Sequence, residues 1–468
     1  MRKLIRGGTI VAEGAVYQAD IMIEDERIAA IGCFPENEFD EITEAGGMYI
    51  FPGFIDPHTH MELQQSSTFR ACDDFYTGTV AAAMGGTTMI IDHIAFGPAG
   101  CNLHHSIDHY HQLAKKAVID YGLHGVFQHV DEDILSELET IVTKEGIPSF
   151  KAYTTYGFKI EDRDLFRILQ VMKKTGGLLT VHCENDAITN WLRGECIEQG
   201  QNAPIYHAKS RPNETETESV ERLMQLAKMA GDAPLYIVHT SAKESVWAVE
   251  DARNHQYRNV YVETCTQYLT LTDEKYNEGG RQEGVKYLMA PPLRTEADQQ
   301  VLWQGLANGA VQVVATDHCP FMLEEKLAGV EDFTKAPGGA PGVEERGLLL
   351  FSEGVAKGRL SLTRFVELMS TNAAKIFGMY PQKGTILPGS DADLVIFDPQ
   401  VKQTLSQKTL HSTCDYSAYE GWKVEGGVKA VYSKGKKIVA DGRFLGARGD
   451  GRFVARRTGH VCDRNEAH

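Results

Sequence analysis

The sequence predicts an α/β protein: a (β/α)8 (TIM) barrel that carries a small composite β-sandwich domain built from both termini. Short apolar runs rich in β-branched residues alternate with longer amphipathic stretches through the middle of the chain, which is typical of a parallel sheet with helical crossovers. Both ends of the chain contain short strand-like segments. Several middle runs also end in a histidine, a lysine or an aspartate, at the face where a barrel would bring them together.

The β-sandwich domain is predicted from the two ends of the chain. Residues 1–50 alternate apolar segments with glycine and acidic turns, as in KLIRGGTIV, ADIMIED and RIAAIG, which indicates small antiparallel strands. Residues 379–448 contain a second set, DADLVIFDP, GGVKAVYSKG and KKIVADGRF. Neither set is large enough for an independent sandwich, so we expect the two to pair. The polar tail, residues 449–468, is expected either to pack on a neighbouring subunit or to be mobile.

The barrel is predicted over residues 51–378 as the catalytic domain. Eight runs have strand character: GFIDPH, TTMIIDH, LHGVFQH, SFKAY, LLTVH, LYIVH, NVYVET and VQVVATD. Eight is the strand number of this barrel. A doubly wound open sheet would give a similar alternation, and the position of the reactive residues is what favours closure.

Composition argues against several classes of partner and location. The 468 residues include 47 Lys or Arg and 64 Asp or Glu, a net charge of −17, and no basic run marks a surface for phosphates. Nucleic acid and membranes are therefore not expected as partners. The nine cysteines are scattered without a C-x-x-C pair, and no segment has the apolar length of a signal peptide or a membrane span. These features predict a cytoplasmic protein.

Reactive side chains accompany five of the eight runs. In GFIDPHTH, His58 and His60 stand two residues apart, a spacing that puts both imidazoles on the same face of a strand. The others are Lys151 in the fourth run, His182 after the fifth, His239 after the sixth and Asp317 after the eighth. A single histidine is more often a hydrogen-bonded core side chain than a ligand, and His93, His129 and His318 also stand near strand ends. The joint pattern predicts a metal site at the barrel mouth.

Lys151 needs a separate explanation, because an ammonium group repels metal cations. It lies in SFKAYTTY, inside an apolar strand, where burial lowers the pKa of the amine. A neutral amine can add carbon dioxide, and the resulting carbamate is an anion whose two oxygens can bridge two metals. The alternative is a lysine whose stem is buried and whose head reaches solvent.

The motifs GFIDPHTH, FKAY, TVHCEND, IVHTS and ATDHCPF, in this order and spacing, resemble those of the cyclic amidohydrolases, in particular the hydantoinase and dihydropyrimidinase branch. The stretches RACDDFYTGT, GGTTMIIDH, APPLR and PGVEERGLLL extend the likeness over most of the chain, which looks most similar to the bacterial D-phenylhydantoinases. The resemblance implies a (β/α)8 barrel with a composite β domain, a binuclear metal centre, usually of zinc, and commonly a homotetramer.

The resemblance also implies a role for each reactive residue. Lys151, as its carbamate (N6-carboxylysine), would bridge two divalent metal ions together with a hydroxide. Zinc suits the nitrogen and oxygen donors, with manganese or cobalt as alternatives. The implied ligands are His58, His60 and Asp317 for the more buried metal, and His182 and His239 for the second.

The implied reaction is attack of that hydroxide on a carbonyl carbon of a cyclic ureide. Asp317 would take the hydroxide proton and deliver it to the leaving nitrogen, and Tyr156 matches the family tyrosine that donates to the developing oxyanion. Tyr153 is interpreted as a packed barrel aromatic. Ala290 in MAPPLR and Gly338 in APGGAPG stand where the family often has serine and asparagine; they would either bind the ureide through backbone groups or form ordinary turns.

Residues in the loops after the first and fourth predicted strands indicate the class of substrate. Dihydroorotases typically have an arginine two places after H-x-H, where this chain has Glu62, so dihydroorotate is disfavoured. Leu63, Phe69 and Phe158 lie in loops where the family forms the pocket for the exocyclic group of the ring. We therefore predict hydrolysis of 5-monosubstituted hydantoins, such as phenylhydantoin, to N-carbamoyl amino acids. The alternatives are a dihydropyrimidinase acting on dihydrouracil or dihydrothymine and a non-catalytic dihydropyrimidinase-related binding protein, which is disfavoured because all six ligand positions are filled.

Overall fold

The first seven strands of the chain belong to two sheets of a β domain. The structure is a computed structural model that describes residues 1–35, 39–255 and 257–458. These strands are β1 (Arg2–Arg6), β2 (Thr9–Ala12), β3 (Ala15–Gln18), β4 (Asp20–Glu24), β5 (Arg27–Gly32), β6 (Glu41–Glu44) and β7 (Tyr49–Pro52). A four-stranded sheet has the order β5-β4-β1-β6, and the other three strands join a larger sheet.

Strand pairing in this N-terminal part differs from the prediction of antiparallel strands. The hairpins β2–β3 and β4–β5 are antiparallel, but β1 pairs with β6 and β2 pairs with β7 in parallel. The reason is topological, because the chain passes through both hairpins before β6 and β7 return beside β1 and β2 in the same direction.

Eight parallel strands form the barrel, and each overlaps one of the eight predicted runs. They are β8 (Phe54–Thr59), β9 (Thr87–His93), β10 (Asp120–Val126), β11 (Ser149–Tyr153), β12 (Leu178–His182), β13 (Leu235–Ile237), β14 (Val260–Cys265) and β15 (Val313–Ala315). Neighbours in the sheet follow chain order. Every residue of β9, β10 and β12 is buried, as expected for parallel strands that are covered on both faces.

Backbone hydrogen bonds between the first and last strands close the barrel. The N–H of Asp317 donates to the carbonyl of His58, and the N–H of His60 donates to the carbonyl of His318, each at 2.9 Å. The predicted (β/α)8 barrel is therefore confirmed, and the open doubly wound sheet is excluded. These bonds also hold the carboxyl ends of β8 and β15 side by side.

Helices surround the barrel and connect its strands. The helix over Asp162–Thr175, for example, buries Leu165, Ile168, Leu169 and Met172, which have the spacing of one helix face, and its C-cap is Gly176 in the left-handed conformation with φ +73°. The helices are α1 (Thr77–Met84), α2 (Leu103–Leu113), α3 (Glu132–Lys144), α4 (Asp162–Thr175), α5 (Asp186–Glu198), α6 (Ile205–Lys209), α7 (Asn213–Met229), α8 (Lys243–Asn254), α9 (Thr266–Thr270), α10 (Arg281–Gly284), α11 (Glu296–Asn308), α12 (Leu323–Leu327), α13 (Arg346–Leu350), α14 (Leu362–Val366) and α15 (Asn372–Ile376).

Strands from the C-terminal part complete the β domain. They are β16 (Leu394–Thr404), β17 (Lys423–Ser433), β18 (Lys436–Ala440) and β19 (Arg443–Phe444). The larger sheet has the order β19-β18-β17-β16-β7-β2-β3, so β7 and β16 join the two termini. Side chains of both sheets share one apolar core, which includes Ile5, Ile21, Ile50 and Ile396. The composite domain predicted from the sequence is therefore confirmed.

The start of the C-terminal tail packs against the barrel of its own chain. The N–H of Tyr121 donates to the carbonyl of Arg452 at 3.0 Å, and the N–H of Val454 donates to the carbonyl of Tyr121 at 2.8 Å. The buried guanidinium of Arg456 donates to the hydroxyl of Ser149 at 2.8 Å. These contacts cover the amino ends of β10 and β11, whereas residues 459–468 lie outside the described residues. No helix within the described ranges is long and apolar enough to cross a membrane.

Candidate metal centre and active site

The six residues predicted as metal ligands meet at the carboxyl-end face of the barrel. His58 lies in β8, Lys151 in β11 and His182 at the end of β12, while His239 and Asp317 follow β13 and β15 by two residues. Their side chains are buried, apart from Asp317, which is 14% exposed. Because all carboxyl ends of a (β/α)8 barrel share one face, residues up to 259 positions apart in sequence come together here.

His58, His60 and Asp317 form a compact cluster. Oδ1 of Asp317 lies 3.1 Å from Nε2 of His58 and 3.1 Å from Nε2 of His60. One candidate ligand atom from each residue falls within 4.8 Å of the other two. The bonds that close the barrel explain this arrangement, since they fix the backbone of Asp317 beside that of His58 and His60.

His239 and His182 extend this cluster toward β11. The ring centroids of His182 and His239 are 4.5 Å apart, and those of His58 and His239 are 5.4 Å apart. Lys151 is 1% exposed, and burial lowers the pKa of its amine to about 8, against the opposing effect of Asp317 and Glu263. The lysine is therefore buried among the histidines and does not extend its head to solvent.

Three residues of this region have strained backbones. His239, Asp317 and Tyr156 have φ values of +37°, +54° and +74°, in the left-handed region that side chains larger than glycine rarely adopt. Such strain costs on the order of 1–3 kcal/mol per residue and is found mainly at functional sites. The surrounding structure here holds the side chains of these residues at the barrel mouth.

Electrostatics favour the forms of the side chains that bind a cation. Burial lowers the pKa of His60, His182 and His239, so that these imidazoles are neutral and offer a lone pair. Burial opposes ionisation of Asp317, yet the adjacent His58 and His60 hold its pKa well below the usual range. The cluster therefore combines neutral nitrogen donors with an anionic oxygen donor.

His58 differs from the other histidines because it lies between two carboxylates. Its burial and the nearby Lys151 oppose the charged imidazolium, but Glu263 and Asp317 outweigh them and raise the pKa of His58. Positive charge is thus favoured at this point of the site. A divalent cation held by His58 and Asp317 would supply that charge in place of the proton.

Unpaired buried nitrogens provide an independent test of the fit to a metal. Nε2 of His58, Nδ1 of His60 and Nδ1 of His239 make no hydrogen bond of acceptable geometry within the described part of the chain. Buried polar atoms without partners are rare in proteins because they cost the full desolvation penalty. Imidazole nitrogens with carboxylate oxygens suit zinc, and also manganese or cobalt. The residues therefore fit divalent cations.

Glu263 contacts the candidate site and was not singled out by the sequence analysis. Its Oε1 lies 2.6 Å from Nδ1 of His58 and accepts the backbone N–H of His239 at 3.0 Å, while its Oε2 accepts the hydroxyl of Tyr236 at 2.9 Å. A carboxylate on the far nitrogen of a ligating histidine fixes the tautomer and the orientation of the ring. The only sequence signal was an acidic residue near the end of the run NVYVET.

Glu184 is the corresponding partner of His182. Its Oε2 lies 2.6 Å from Nε2 of His182 and accepts from the guanidinium of Arg211 at 2.6 Å. Burial opposes the charge, but Arg211 and His182 hold the pKa of Glu184 below its usual range. The anionic carboxylate orients the imidazole and leaves its Nδ1 available as a ligand.

His93, His129 and His318, which also stand near strand ends in the sequence, have different surroundings in the structure. His93 is buried, and its ring centroid lies 4.2 Å from that of His58, so it belongs to the site region. His318 is buried and its Nε2 donates to Asp73 at 3.0 Å. His129 is partly exposed, with Asp131 3.6 Å from its Nε2.

A sequence model of the Amidohydrolase family matches residues 49–438. The chain belongs to the amidohydrolase family. The D-phenylhydantoinase of Escherichia coli strain K12 is 46% identical over 462 residues, which cover 98% of this chain and 98% of that relative.

Among solved structures, the D-hydantoinase from Bacillus sp. AR9 has a TM-score of 0.94 and 44% identity over 97% of this chain and 99% of that one. The dihydropyrimidinase from Brevibacillus agri NCHU1002 has a TM-score of 0.95 and 44% identity, with coverage of 98% and 99%. The resemblance to the hydantoinase and dihydropyrimidinase branch is thereby confirmed.

Two tyrosines border the cluster of candidate ligands in this amidohydrolase. The ring centroid of Tyr156 lies 5.3 Å from that of His182, and the ring of Tyr153 lies 5.8 Å from the same histidine. Burial raises the pKa of the Tyr156 phenol, so its hydroxyl remains a hydrogen-bond donor at neutral pH. The backbone N–H of Tyr156 donates to Asp186 at 3.1 Å, which holds the strained turn in place.

Ala290 and Gly338 lie in two loops of the amidohydrolase barrel that are bonded to each other. The N–H of Gly339 donates to the carbonyl of Leu288 at 3.0 Å. Residue Ala340 also bridges to His318, directly after Asp317. Both Ala290 and Gly338 are partly exposed, and the carbonyl of Gly338 accepts from Nε2 of Gln65 at 2.8 Å.

The three predicted pocket residues lie on different sides of the amidohydrolase mouth. Phe158 has its ring centroid 3.9 Å from that of Phe96, and Phe69 has its centroid 6.5 Å from that of Phe321. Leu63 is half-buried and packs on the main core. In the described ranges, no ring contact joins Phe69 directly to Phe158.

Proposed function

We propose that this amidohydrolase opens the ring of 5-monosubstituted hydantoins, including phenylhydantoin, by hydrolysis of a cyclic amide bond to give N-carbamoyl amino acids. The observation that carries the proposal is the convergence of His58, His60 and Asp317, with Lys151 and two further histidines, at the mouth of the barrel. The E. coli D-phenylhydantoinase, 46% identical over nearly the whole of both chains, supports the choice of substrate.

The cofactors we propose are two divalent cations, with zinc expected and manganese or cobalt as alternatives. His58, His60 and Asp317 would hold one, His182 and His239 the second. Bound cations would supply a hydroxide nucleophile near neutral pH and polarise the amide carbonyl.

Lys151 would bind both metal ions as a carbamate. Its lowered pKa supports this role: at pH 7.5, a pKa of about 8 leaves roughly a quarter of the amine neutral, against about 0.1% for an ordinary lysine. The neutral amine adds to carbon dioxide and loses one proton to give N6-carboxylysine. Replacement of Lys151 by Met is expected to reduce bound zinc by at least one ion per chain. Unmodified Lys151 in the electron density of a fully metallated crystal would contradict the carbamate.

Asp317 and Tyr156 are the groups we assign to catalysis. Asp317, ionised because His58 and His60 hold its pKa down, accepts the proton of the nucleophile and delivers it to the leaving nitrogen. An amide nitrogen leaves poorly unless it is protonated. Tyr156, whose phenol stays protonated, donates a hydrogen bond to the oxygen that gains negative charge.

Backbone groups of Ala290 and Gly338 would orient the ureide. A flat ring with alternating N–H and C=O groups is complementary to backbone acceptors and donors. The carbonyl of Gly338 is an available acceptor of this kind, because its present donor is the side chain of Gln65 from an exposed loop. A ring N–H would replace that amide.

Leu63, Phe69 and Phe158 are proposed to contact the exocyclic group of the substrate, and kcat/KM values test this. Zinc-reconstituted protein is expected to prefer 5-phenylhydantoin to dihydrouracil. Phe158→Ala should lower kcat/KM for phenylhydantoin by about tenfold or more and leave dihydrouracil within about threefold. The matched control is Trp191→Ala, an aromatic that is 68% exposed on α5 and is expected to change neither value.

Dihydropyrimidines are the second candidate substrates, because the dihydropyrimidinase from Brevibacillus agri has the same fold at a TM-score of 0.95. A preference for dihydrouracil over phenylhydantoin would establish this alternative. The complete set of candidate ligands argues against the alternative of a non-catalytic binding protein. Failure of the protein to bind metal when zinc is supplied would favour that alternative.

Assembly and location are proposed from the family resemblance of the sequence and from the cysteines. We propose the homotetramer that is common among hydantoinases, which sedimentation can test. The eight cysteines of the described residues are all free, which supports a cytoplasmic location, since disulfides are rare there.

A further inference from the structure

Lys326 is a completely buried lysine that the proposed reaction does not use. It lies in α12, nine residues after Asp317, and is 0% exposed. Its Nζ donates to three backbone carbonyls, those of Leu288 at 2.6 Å, Pro337 at 2.8 Å and Gly339 at 2.9 Å. No carboxylate of the described residues forms an ion pair with Lys326, which is unusual for a buried lysine and needs a reason.

The three carbonyls match the donors of an ammonium group. A protonated lysine has three N–H donors and no acceptor, so each donor of Lys326 has one carbonyl. Burial lowers the pKa of Lys326 to about 7, against the smaller opposing effect of the thiols of Cys319 and Cys414. The three carbonyl dipoles favour the protonated form, in which all three bonds can exist at once.

The carbonyls belong to the two loops that carry Ala290 and Gly338. Pro337 and Gly339 flank Gly338 on both sides, and Leu288 stands two residues before Ala290. One direct bond, from the N–H of Gly339 to the carbonyl of Leu288, already joins the loops. The carbonyl of Gly338 itself accepts from Gln65, so the bonds of Lys326 use the two flanking carbonyls and leave that of Gly338 to another donor.

We propose that Lys326 is a positioning residue that fixes the two backbone loops on which the cyclic ureide is oriented. This inference depends on the proposed function, since it assigns ureide binding to Ala290 and Gly338. Glycine at position 338 has open space around its missing Cβ and no side chain of its own to hold the loop. The ammonium of Lys326 supplies that restraint from the buried side of the loops.

The test compares Lys326→Met with the neighbouring control Leu327→Ala in zinc-loaded protein. Met keeps the length of the side chain but removes all three donors, whereas Leu327 is 38% exposed on the same short helix. For 5-phenylhydantoin we expect KM to rise by about tenfold or more in Lys326→Met, with kcat and bound zinc within about threefold of the wild type. Leu327→Ala should change none of these values.

Hydrogen exchange gives a readout that does not depend on activity. Amides of the non-proline residues within 286–290 and 335–340 are expected to exchange faster in Lys326→Met than in the wild type and in Leu327→Ala, while those within 54–60 keep their protection. If Lys326→Met does not fold, Lys326→Gln, which keeps two N–H donors, is measured in the same way and should show a KM above that of the wild type but a rise of less than about tenfold.

The outcomes distinguish this inference from the function on which it depends. Wild-type protein that binds zinc but opens no hydantoin would refute the proposed function. The amide exchange rates would then still show whether Lys326 restrains the two loops. Active wild-type protein with an unchanged KM and unchanged exchange in the folded Lys326 variant would refute the positioning role. If kcat, the amount of bound zinc and the free energy of unfolding all decrease together, Lys326 has only a structural role.

Discussion

Glu263→Gln tests the metal site through a residue that is not itself a proposed ligand. The substitution keeps the shape of the side chain and removes its charge. The oxygen at the Oε1 position can still accept from Nδ1 of His58 and from the N–H of His239, and the hydroxyl of Tyr236 can rotate to accept from the new amide. The change therefore reports mainly on the charge of the carboxylate.

The expected magnitude follows from these bonds. A hydrogen bond to a charged group contributes about 1.5–3 kcal/mol and a neutral one about 0.5–1.5 kcal/mol, so the bond that orients His58 weakens by about 1–1.5 kcal/mol. The loss of negative charge near the cation adds to this effect. Together they predict zinc binding that is about 10–100-fold weaker, the range found when the partner of a ligating histidine is altered.

Competition with a chromogenic chelator measures the zinc affinity, and kcat is measured at saturating zinc. Tyr236→Phe is the matched control: it removes the bond to Oε2 but keeps the carboxylate on His58 and His239, and it should change zinc affinity by less than about threefold. Zinc affinity of Glu263→Gln within about threefold of the wild type, or an equal loss in both variants, would refute the reasoning.

Three further predictions concern catalysis and stability. Asp317→Asn should retain at least part of its zinc and lower kcat by about 10²–10⁴-fold, and a near-normal rate would exclude the proton transfer assigned to Asp317. Lys383, which is 1% exposed, lies within 2.9 Å of Asp120, Asp391 and Asp393 and ties the barrel to the β domain. Urea denaturation should show Lys383→Met to be less stable by about 3–5 kcal/mol, while the exposed control Lys402→Met changes by less than about 0.5 kcal/mol; equal midpoints would contradict this. The depressed pKa of Glu184 stabilises the fold above its unfolded pKa of about 4.3, and this stability is lost as the pH falls through the lower folded pKa. The melting temperature, measured from pH 7 to pH 3, should therefore fall less in Glu184→Gln than in the wild type. An equal fall in melting temperature for the two proteins would disprove this prediction.

The barrel could be predicted because its strands carry local signals. Each run is short, apolar and rich in β-branched residues, and the spacing of His58 and His60 identifies one face of the first strand. The candidate ligands were predictable for the same reason, since they stand at the ends of such runs. Closure of the barrel then brought them together.

Contacts that depend on distant backbone could not be predicted. Glu263 acts on His58 only because closure of the barrel places β14 two strands from β8, with β15 between them, and nothing near position 263 marks that partner. Lys326 contacts carbonyls, which carry no sequence signature. The parallel pairs β1–β6 and β2–β7 depend on a crossover, not on the strands themselves.

The burial of Arg456 in the tail could not be predicted from composition. Residues from Gly449 onward are polar, which indicated a tail that either packs on a neighbouring subunit or is mobile. Arg456 is nevertheless 3% exposed, because Ser149 and the carbonyl of Leu123 accept from its guanidinium under the barrel. A polar side chain can be buried when such partners exist, and only the folded barrel provides them.

Metal-dependent opening of 5-phenylhydantoin tests the central claim most directly. The rate of N-carbamoylphenylglycine formation is measured with protein reconstituted in zinc, with the same protein after chelation, and after zinc is returned. The convergence of His58, His60, Lys151, His182, His239 and Asp317 predicts turnover with zinc, loss on chelation and recovery on its return. Product formation that persists in fully metal-free protein, or its absence in protein that has bound two zinc ions per chain, would contradict the proposed function.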